Sequence, residues 1–275
     1  MIPASFDYLA PTSLEEALDA LRSASGEAKL LAGGHSLVPL MKLRLAQPDL
    51  LIDLAGVPGL QGVRRSNGGL SIGAMTTHGE IERSTEVKAA APALSEAAHQ
   101  IGDRQVRARG TIGGSLTHAD PAADLPAVML ALGATMVLRS PLGQREVMAD
   151  DFFIDLLESA VRPDEILTEI RVPSNPRSTY EKLPNPASHY AIVGIAVALG
   201  DQARVGVTGA APVAFRAAGA EAVLREYTLT PDATARAAAA AFDGRELLSD
   251  IFASGEYRAH LIEVLTGRAL RRLSM

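Results

Sequence analysis

Two glycine pairs place the strongest constraint on how this chain can fold. The first lies in residues 32–36 (AGGHS), directly after an apolar run, and the second lies in residues 111–115 (TIGGS). Successive glycines allow backbone conformations that are closed to other residues and let the backbone approach a ligand closely. Consecutive N–H groups at such a turn form a nest suited to a diphosphate, and neighbouring hydroxyl groups add donors. The pattern predicts either two diphosphate-binding loops or two simple turns.

Neither glycine segment matches the motifs of the common nucleotide-binding folds. GxGxxG is absent, which disfavours a Rossmann fold, and GxxxxGK[ST] is absent, which disfavours a P-loop. The 6 histidines also lack a paired spacing such as HxxxH, so a catalytic metal site is disfavoured. A diphosphate site in this chain would therefore belong to another fold.

A third polar segment follows the second glycine pair. Residues 118–126 (HADPAADLP) carry His118, Asp120 and Asp124 among alanines and prolines. The carboxylates could hydrogen-bond the hydroxyl groups of a cofactor. Alternatively, Asp120 only shapes the turn before a proline, and Asp124 only caps the helix that follows. The sequence leaves these two interpretations open.

The periodicity of apolar residues predicts two domains, as the length of 275 residues also suggests. Residues 171–178 (RVPSNPRS) interrupt both the helical and the strand period. We therefore place a first domain at 1–173 and a C-terminal α+β domain at 178–275. In the first domain, alternating strand and helix signals predict a small βαβ-type subdomain at about 1–55, followed by a second subdomain at 56–173.

Capping residues and periodicity predict individual helices and strands. Ser13 and Thr77 are predicted helix caps, and Glu80 completes a capping box with Thr77. The longer predicted elements are helices at 89–101, 125–132, 217–225, 232–242 and 256–273, and strands at 134–139, 191–199 and 203–208. The glycine pair at 111–115 is expected to interrupt helical periodicity. The basic run at 268–272 (RALRR) is expected to form a solvated last helical turn.

Composition excludes several classes of function. A net charge of −6 and a pI near 5.6 argue against nucleic acid as a main partner, because phosphate neutralisation needs clustered Lys and Arg. The absence of cysteine excludes disulfides, thiolate catalysis and an iron–sulfur cluster held by this chain alone. Neither a secretory signal nor an apolar stretch of roughly 20 residues is visible. We therefore expect a cytoplasmic protein without a transmembrane segment.

Several ordered segments resemble the FAD-binding medium subunits of molybdenum hydroxylases, the carbon monoxide dehydrogenase and xanthine dehydrogenase family. Residues 32–44 (AGGHSLVPLMKLR) are similar to the first FAD-binding loop of these subunits, and residues 111–124 are similar to the second. Residues 72–77, 164–173 and 180–183 also match family segments. The resemblance extends over essentially the whole chain.

The resemblance implies a fold and a set of cofactor-binding residues. The fold is an α+β, two-subdomain FAD-binding domain of the vanillyl-alcohol oxidase and p-cresol methylhydroxylase type, followed by a C-terminal α+β domain. Carried over residue by residue, the implied cofactor-binding residues are Ala32, Gly33, Gly34, His35, Ser36, Leu37, Thr111, Gly113, Gly114, Ser115, His118, Asp120, Asp124, Lys182 and Tyr190. The glycine loops would hold the pyrophosphate, Lys182 would lie close to the flavin ring, and Tyr190 would place an aromatic ring near it. For Tyr190, a core position beside a strand is the alternative.

The resemblance also implies partners and an activity. A small subunit would carry [2Fe–2S] clusters and a large subunit the molybdopterin cofactor, commonly as a dimer of heterotrimers. This chain would bind FAD, accept electrons from the clusters and pass them to a quinone, O₂ or NAD, without a general acid or base of its own. The substrate, whether carbon monoxide, an aldehyde, a purine or another N-heterocycle, would bind to another chain.

Two other functions stay open at this point. A histidine directly after a glycine pair, like His35, carries covalent FAD in some relatives of the superfamily, which would suit a self-sufficient flavoprotein oxidase. Such oxidases usually have a large substrate domain, which 275 residues hardly accommodate. The second alternative is a scaffold subunit with a decayed flavin site, and the intact glycine loops weigh against it.

Overall fold

The N-terminal unit is a small parallel sheet with two helices. The computed structural model describes residues 2–226 and 228–274. The elements of this unit are β1 (Asp7–Leu9), α1 (Leu14–Ser23), β2 (Ala28–Leu31), α2 (Leu37–Lys42) and β3 (Leu50–Asp53), with a 3₁₀ turn at Leu54–Gly56. β3 lies between β1 and β2 and pairs in parallel with both. Ser13 caps α1 as predicted, because its hydroxyl oxygen accepts the N–H of Glu16.

The central unit combines an antiparallel sheet with a series of short helices. Its strands are β4 (Val63–Ser66), β5 (Gly69–Gly73), β6 (Thr135–Ser140), β7 (Gly143–Met148), β8 (Phe153–Asp155), β9 (Glu158–Ser159) and β10 (Ile166–Pro173). Its helices are α3 (His78–Arg83), α4 (Thr85–Ala90), α5 (Pro92–Gln100), α6 (Arg104–Arg109), α7 (Ile112–His118), α8 (Leu125–Leu132) and α9 (Ala149–Phe152). The five-stranded sheet has the order β4–β5–β10–β6–β7, and β8 pairs with β9. Helices α3 to α8 all lie between β5 and β6 in the chain.

The C-terminal unit is an antiparallel sheet packed against a long helix. Its elements are β11 (Ser178–Pro184), β12 (Ala191–Leu199), β13 (Ala203–Thr208), β14 (Phe215–Arg216), α10 (Ala218–Glu226), α11 (Pro231–Ala239) and α12 (Gly255–Ser274). The strands follow each other in chain order across the sheet. The predicted strands at 191–199 and 203–208 are confirmed. Among the described helices, none combines the length and the apolar character that crossing a bilayer demands.

Strand β12 joins the C-terminal sheet to the central unit. Ala196 and Ala198 belong to the core cluster of the central unit, whereas Ile195 and Val197 pack into the core beneath α12. Successive side chains of a strand point to opposite faces, so both faces of β12 are buried. The small alanines on one face allow the strand to approach the helices of the central unit closely.

Two predicted helical features are wrong in detail. The helix predicted at 89–101 is divided into α4 and α5, and Ala91 between them has φ −151°. The following Pro92 explains the break, because a residue before proline avoids the helical conformation. The glycine pair at 111–115 does not interrupt helical structure either. Thr111 caps α7, and both glycines lie in its first turn.

The basic run at the end of α12 is not simply a solvated turn, as its sequence suggested. Arg272 donates one hydrogen bond of 2.7 Å to Glu96 in α5 and another of 2.7 Å to Glu181 in β11. Its guanidinium therefore bridges the C-terminal helix, the C-terminal sheet and the central unit. The sequence could not show this bridge, because only the folded structure brings Glu181 of β11 beside α12, which lies far away in the sequence.

Candidate cofactor site

A cavity of about 700 Å³ lies where the three units meet. Its wall includes nearly all of the residues that the sequence predicts for the cofactor site, namely Ala32, Gly33, Gly34, His35, Ser36, Leu37, Thr111, Gly113, Gly114, Ser115, His118, Asp120, Asp124 and Tyr190. Segments that are far apart in the chain thus converge on one space. A volume of this size is typical of cavities that bind small molecules and cofactors.

The first glycine loop connects β2 to α2 and leaves donors unused. In the described part of the chain, the backbone N–H groups of Gly34, His35, Ser36 and Leu37 have no intramolecular acceptor. Backbone N–H groups are nearly always paired in folded proteins, so water or a ligand must accept these bonds. Because all four residues line the cavity, the loop offers consecutive donors to a bound anion.

Gly33 brings the two glycine loops into direct contact. A Cβ atom on Gly33 would lie 2.7 Å from the Cα of Gly110, which precedes the second loop. Any side chain at this position would push the backbones apart, so the close approach requires glycine. Gly34 has φ +77°, a conformation that glycine adopts without strain. The two glycines of this pair therefore have different roles, one in packing and one in the turn.

The second glycine loop does not form the predicted nest of free donors. The N–H of Gly113 donates to the carbonyl of Ala74 at 2.8 Å, and the N–H of Gly114 donates to Oγ1 of Thr111 at 3.1 Å. The N–H of Ser115 is used as well, in a 3.0 Å bond to the Thr111 carbonyl. The contact with Ala74 and the Thr111 cap occupy these three donors, so the loop can offer a ligand its hydroxyl groups and a close backbone surface.

Gly113 lines the cavity as predicted and is also a packing glycine. A Cβ atom there would lie 2.6 Å from the Cβ of Ala74 at the end of β5. Gly114 has more room, since a Cβ atom would lie 3.0 Å from Oγ1 of Thr111 and 3.5 Å from the Cβ of Ala32. A larger side chain at Gly114 would occupy the space between the two loops.

Asp120 and Asp124 play separate parts in the polar segment after the second loop. Asp120 accepts the N–H of Ala122 at 2.8 Å, which is the turn-shaping role considered from the sequence. Asp124 precedes α8 but its side chain makes no cap bond. Instead, its Oδ1 accepts the Tyr180 hydroxyl at 2.6 Å and lies 2.8 Å from Nζ of Lys182. The capping interpretation of Asp124 is therefore wrong.

Burial dominates the electrostatics of Asp124. Because the carboxyl is almost completely enclosed, burial raises its pKa, and the neighbouring Lys182 ammonium and Tyr180 hydroxyl oppose that shift. Burial also raises the pKa of Tyr180 well above its usual value, and the negative charge of Asp124 adds to this effect. Tyr180 thus keeps its proton and acts as a donor to Asp124.

Lys182 does not line the cavity. Its side chain is 1% exposed. Besides Asp124, its Nζ donates to the carbonyls of Gln100 and His189, each at 2.8 Å. The lysine therefore lies behind the cavity wall and holds two of its segments in place. The predicted direct contact of Lys182 with a flavin ring stays a prediction.

Tyr190 projects from the C-terminal unit into the cavity wall. It is 44% exposed and precedes β12, so the alternative core position for this residue is wrong. The preceding His189 has φ +61°, an uncommon conformation for a residue other than glycine. The Lys182 ammonium binds the His189 carbonyl, and this contact helps to hold the backbone in that conformation.

The C-terminal unit also hydrogen-bonds to the backbone of residues 120–124, the acidic segment of the cavity. The N–H of Ala191 donates to the carbonyl of Ala122, and the N–H of Gly209 donates to the carbonyl of Pro121 at 2.8 Å. The Thr208 hydroxyl adds a 2.6 Å bond to the carbonyl of Ala123. These bonds fix the backbone between Asp120 and Asp124, and no short-range sequence pattern predicts them.

His78 is a cavity residue that the sequence analysis overlooked. It is the first residue of α3 and lines the cavity. The predicted capping box of Thr77 and Glu80 is confirmed, but it indicates only where the helix begins. His78 is 4% exposed. Burial is the largest cause that lowers the pKa of His78 to about 4, and the electrostatic interactions with His35 and Arg107 act in the same direction. The imidazole is therefore neutral at physiological pH.

These residues fit a flavin dinucleotide and offer no metal site. Free N–H groups on the first loop suit a diphosphate, and the wall continues from Lys29 in β2 to Tyr190 in the C-terminal unit. In the described residues, no group of three or more His, Cys, Asp or Glu side chains could hold a metal ion. The wall therefore suits an elongated anionic cofactor.

Comparison with known families assigns both parts of the chain. The family model described as "FAD binding domain in molybdopterin dehydrogenase" matches residues 4–175. The model described as "CO dehydrogenase flavoprotein C-terminal domain" matches residues 178–273. Together the two matches extend over almost the whole chain.

Individual relatives agree with these family models. The chain is 40% identical to the carbon monoxide dehydrogenase medium chain of Hydrogenophaga pseudoflava, with 98% of this chain and 97% of the relative covered. It is 39% identical to the 6-hydroxypseudooxynicotine dehydrogenase complex subunit alpha of Paenarthrobacter nicotinovorans, with 99% and 95% covered. A solved structure of quinoline 2-oxidoreductase from Pseudomonas putida 86 superimposes with a TM-score of 0.94 at 33% identity, with 100% of this chain and 98% of that chain covered.

The family resemblance seen in the sequence is therefore confirmed. The α+β fold class, an FAD-binding domain followed by a C-terminal domain, is confirmed, and so is FAD as the cofactor of the family. The relatives are flavin subunits of molybdenum-containing dehydrogenases. The chain belongs to the family of FAD-binding medium subunits of molybdenum hydroxylases and is an oxidoreductase subunit.

Proposed function

We propose that this chain carries electrons between [2Fe–2S] clusters of a small partner subunit and an external acceptor, which is a quinone, O₂ or NAD. A large subunit holds the molybdopterin cofactor, and the assembly is a dimer of heterotrimers in the cytoplasm. Family membership supports this proposal, as does the relatives' description as medium chains or subunits of dehydrogenase complexes. The lack of cysteine agrees with clusters held by another chain.

The observation that carries the proposal is the cavity with four unused backbone donors on the first glycine loop. We place the diphosphate of FAD against Gly34, His35, Ser36 and Leu37, because their N–H groups need acceptors. The hydroxyl of Ser115 adds a donor from the second loop. When bound, FAD supplies redox chemistry that joins one-electron to two-electron partners.

The chain's own residues bind and orient the cofactor. Gly33 keeps the loops together, and Gly114 leaves room between them. Asp124 presents a carboxylate to the cavity wall, and Tyr180 and Lys182 hold it in one orientation. The remaining predicted residues complete the site, either by contacting FAD directly or by supporting the residues that do. They are Ala32, Thr111, Gly113, His118, Asp120, Lys182 and Tyr190.

We further propose that residues 1–173 and 178–275 act together on the cofactor. The first region supplies the glycine loops, whereas the second supplies Tyr190 and the bonds that pin the acidic segment. Substrate choice belongs to another subunit in this proposal. The relatives' names support that division of labour, since they include a carbon monoxide dehydrogenase and a quinoline 2-oxidoreductase on one common medium-chain fold.

The decisive experiment is to purify the native assembly and quantify FAD, iron and molybdenum per copy of this chain, together with its visible absorption spectrum. We expect one FAD per chain, with iron–sulfur absorbance and molybdenum in co-purifying partners. A yellow protein without partners would instead support the oxidase, and a colourless assembly would support the scaffold.

Acid precipitation separates the two modes of flavin attachment. If His35 carried covalent FAD, the flavin would stay with the precipitated protein. The proposed function predicts that all flavin appears in the supernatant, because the free N–H groups of the first loop bind it without a covalent bond.

A further inference from the structure

His78 is enclosed between the structures that carry the two glycine loops. Its backbone N–H donates to the carbonyl of Gly110 at 2.9 Å, so α3 is tied to the start of the second loop. Its ring packs against the same glycine, since a Cβ atom on Gly110 would lie 2.8 Å from the Cδ2 of His78. Gly33 of the first loop packs against the backbone of Arg109 and Gly110. The ring thus lies beside the junction of the two loops.

One ring nitrogen of His78 has no partner. Within the described part of the chain, Nδ1 is buried and makes no hydrogen bond. Buried polar side-chain atoms are paired in most proteins, and leaving one unpaired is unfavourable. In the described residues the Nδ1 atom thus gives the ring no structural hydrogen bond, which leaves a role towards a ligand open to it.

The protonation state of the ring determines what it can offer. Burial and the charges of His35 and Arg107 lower the pKa of His78, so the ring carries a single proton at neutral pH. A proton on Nδ1 would be a buried donor without an acceptor. The tautomer with the proton on Nε2 is therefore favoured, and it leaves the cavity-lining ring with one N–H donor for a ligand.

We propose that His78 is a further cofactor-binding residue, whose Nε2–H donates to a diphosphate oxygen of FAD at the junction of the glycine loops. The proposal rests on the proposed flavin site and deepens it. It gives a ligand-binding role to a buried, uncharged imidazole that lines the cavity and whose Nδ1 makes no hydrogen bond in the described residues. It also supplies a donor beside the second loop, whose own N–H groups are occupied.

The test compares His78→Leu with His78→Gln in the native assembly. Leucine keeps the approximate volume and removes the donor, whereas glutamine keeps an N–H donor. FAD is removed from each purified assembly, its dissociation constant is measured by titration with FAD, and the melting temperature of the FAD-free form is recorded. His260→Leu on α12 is the matched control, because His260 is exposed and does not line the cavity.

We expect His78→Leu to weaken FAD binding by about 10-fold or more, which is the loss of one charge-assisted hydrogen bond. His78→Gln is expected to bind more tightly than His78→Leu, and the control to bind as the wild type does. The melting temperature of the FAD-free His78→Leu assembly should be unchanged or higher, because the unpaired Nδ1 is gone.

Three results would overturn the inference. The first is wild-type FAD affinity in His78→Leu, and the second is a glutamine variant as weak as the leucine variant. The third is a weakened affinity together with a lower melting temperature of the FAD-free form, which would make His78 a structural residue. A wild-type assembly without FAD would contradict the proposed function itself, so the two failures are distinguishable.

Discussion

The Nζ of Lys182 lies 2.8 Å from Oδ1 of Asp124, and both side chains are almost fully enclosed. Asp124 precedes α8 in the central unit, whereas Lys182 belongs to β11 in the C-terminal unit. The same Asp124 oxygen accepts the Tyr180 hydroxyl, so two residues of one strand hold one carboxylate. This contact links the C-terminal sheet directly to the cavity wall.

Breaking the pair at Lys182 should destabilise the protein strongly. Lys182→Met leaves the Asp124 carboxylate buried with only Tyr180 as a donor, and removing one member of a buried pair costs about 3–5 kcal/mol. Urea denaturation of the FAD-free protein measures the free energy of unfolding. In the double variant Lys182→Met with Asp124→Leu, no unpaired charge remains, so the total loss should be smaller than the sum of the two single losses. Additive losses would show that the two side chains do not interact.

The glycine loops should respond differently to substitution at Gly33 and Gly114. Gly33→Ala places a Cβ atom 2.7 Å from the Cα of Gly110, so we expect a loss of about 1–3 kcal/mol of stability together with weaker FAD binding. Gly114→Val should fold but fail to retain FAD, because its side chain fills the space between the loops. The measurements are the free energy of unfolding and the FAD content after gel filtration.

A glycine in α12 provides the control for these loop variants. A Cβ atom on Gly267 would meet the Cβ of Ala238 at an ordinary distance of 3.5 Å. Gly267→Ala should therefore keep FAD and raise the stability of the helix by up to about 1 kcal/mol. Stoichiometric FAD in a folded Gly114→Val variant would show that the second loop is placed wrongly.

Stability should depend on pH through His78. The unfolded chain binds a proton there below the ordinary pKa of 6.5, whereas the folded protein does so only near pH 4. Because the unfolded state binds more protons in this window, stability is full above about pH 6.5 and is lost as the pH falls towards 4. The loss amounts to about 3 kcal/mol, from about 1.4 kcal/mol for each pKa unit.

Comparison with His78→Leu isolates this effect from other titrating groups. The free energy of unfolding of both FAD-free proteins is measured between about pH 4.5 and 7, a range set by the ordinary histidine pKa. The wild type should lose stability relative to the variant as the pH falls. Parallel curves for the two proteins would mean that His78 does not titrate abnormally.

Two arginines of α12 should differ in their contribution to stability. Arg258 is buried and donates to the carbonyls of Ile192 and Gly209 and to Asp250. Arg258→Leu leaves the two carbonyls without this donor and should cost about 2–5 kcal/mol. Arg272 is half-exposed, so Arg272→Leu should cost no more than about 1 kcal/mol. Thermal or urea denaturation compares the two variants, and equal losses would contradict this order.

Local signals in the sequence predicted much of the secondary structure. Ser13 and Thr77 begin helices as predicted, because a cap needs only residues a few positions away. The apolar runs at Ala191–Leu199 and Leu125–Leu132 correspond to a buried strand and a buried helix with the predicted bounds. The short strands β7, β8 and β9 were not predicted, since few of their residues are buried.

The sequence by itself determined the family, several of the longer elements and most of the segments that line the cavity, because each glycine loop and polar segment is a short contiguous motif. Only the tertiary structure decided what individual residues do there. Gly113 packs against Ala74, Asp124 binds a tyrosine 56 positions away, and Lys182 lies behind the wall. Such roles depend on contacts between distant segments, and burial sets the pKa of groups such as His78. Local spacing indicates which apolar elements are buried, but it encodes neither the contacts between distant segments nor the burial of individual polar side chains.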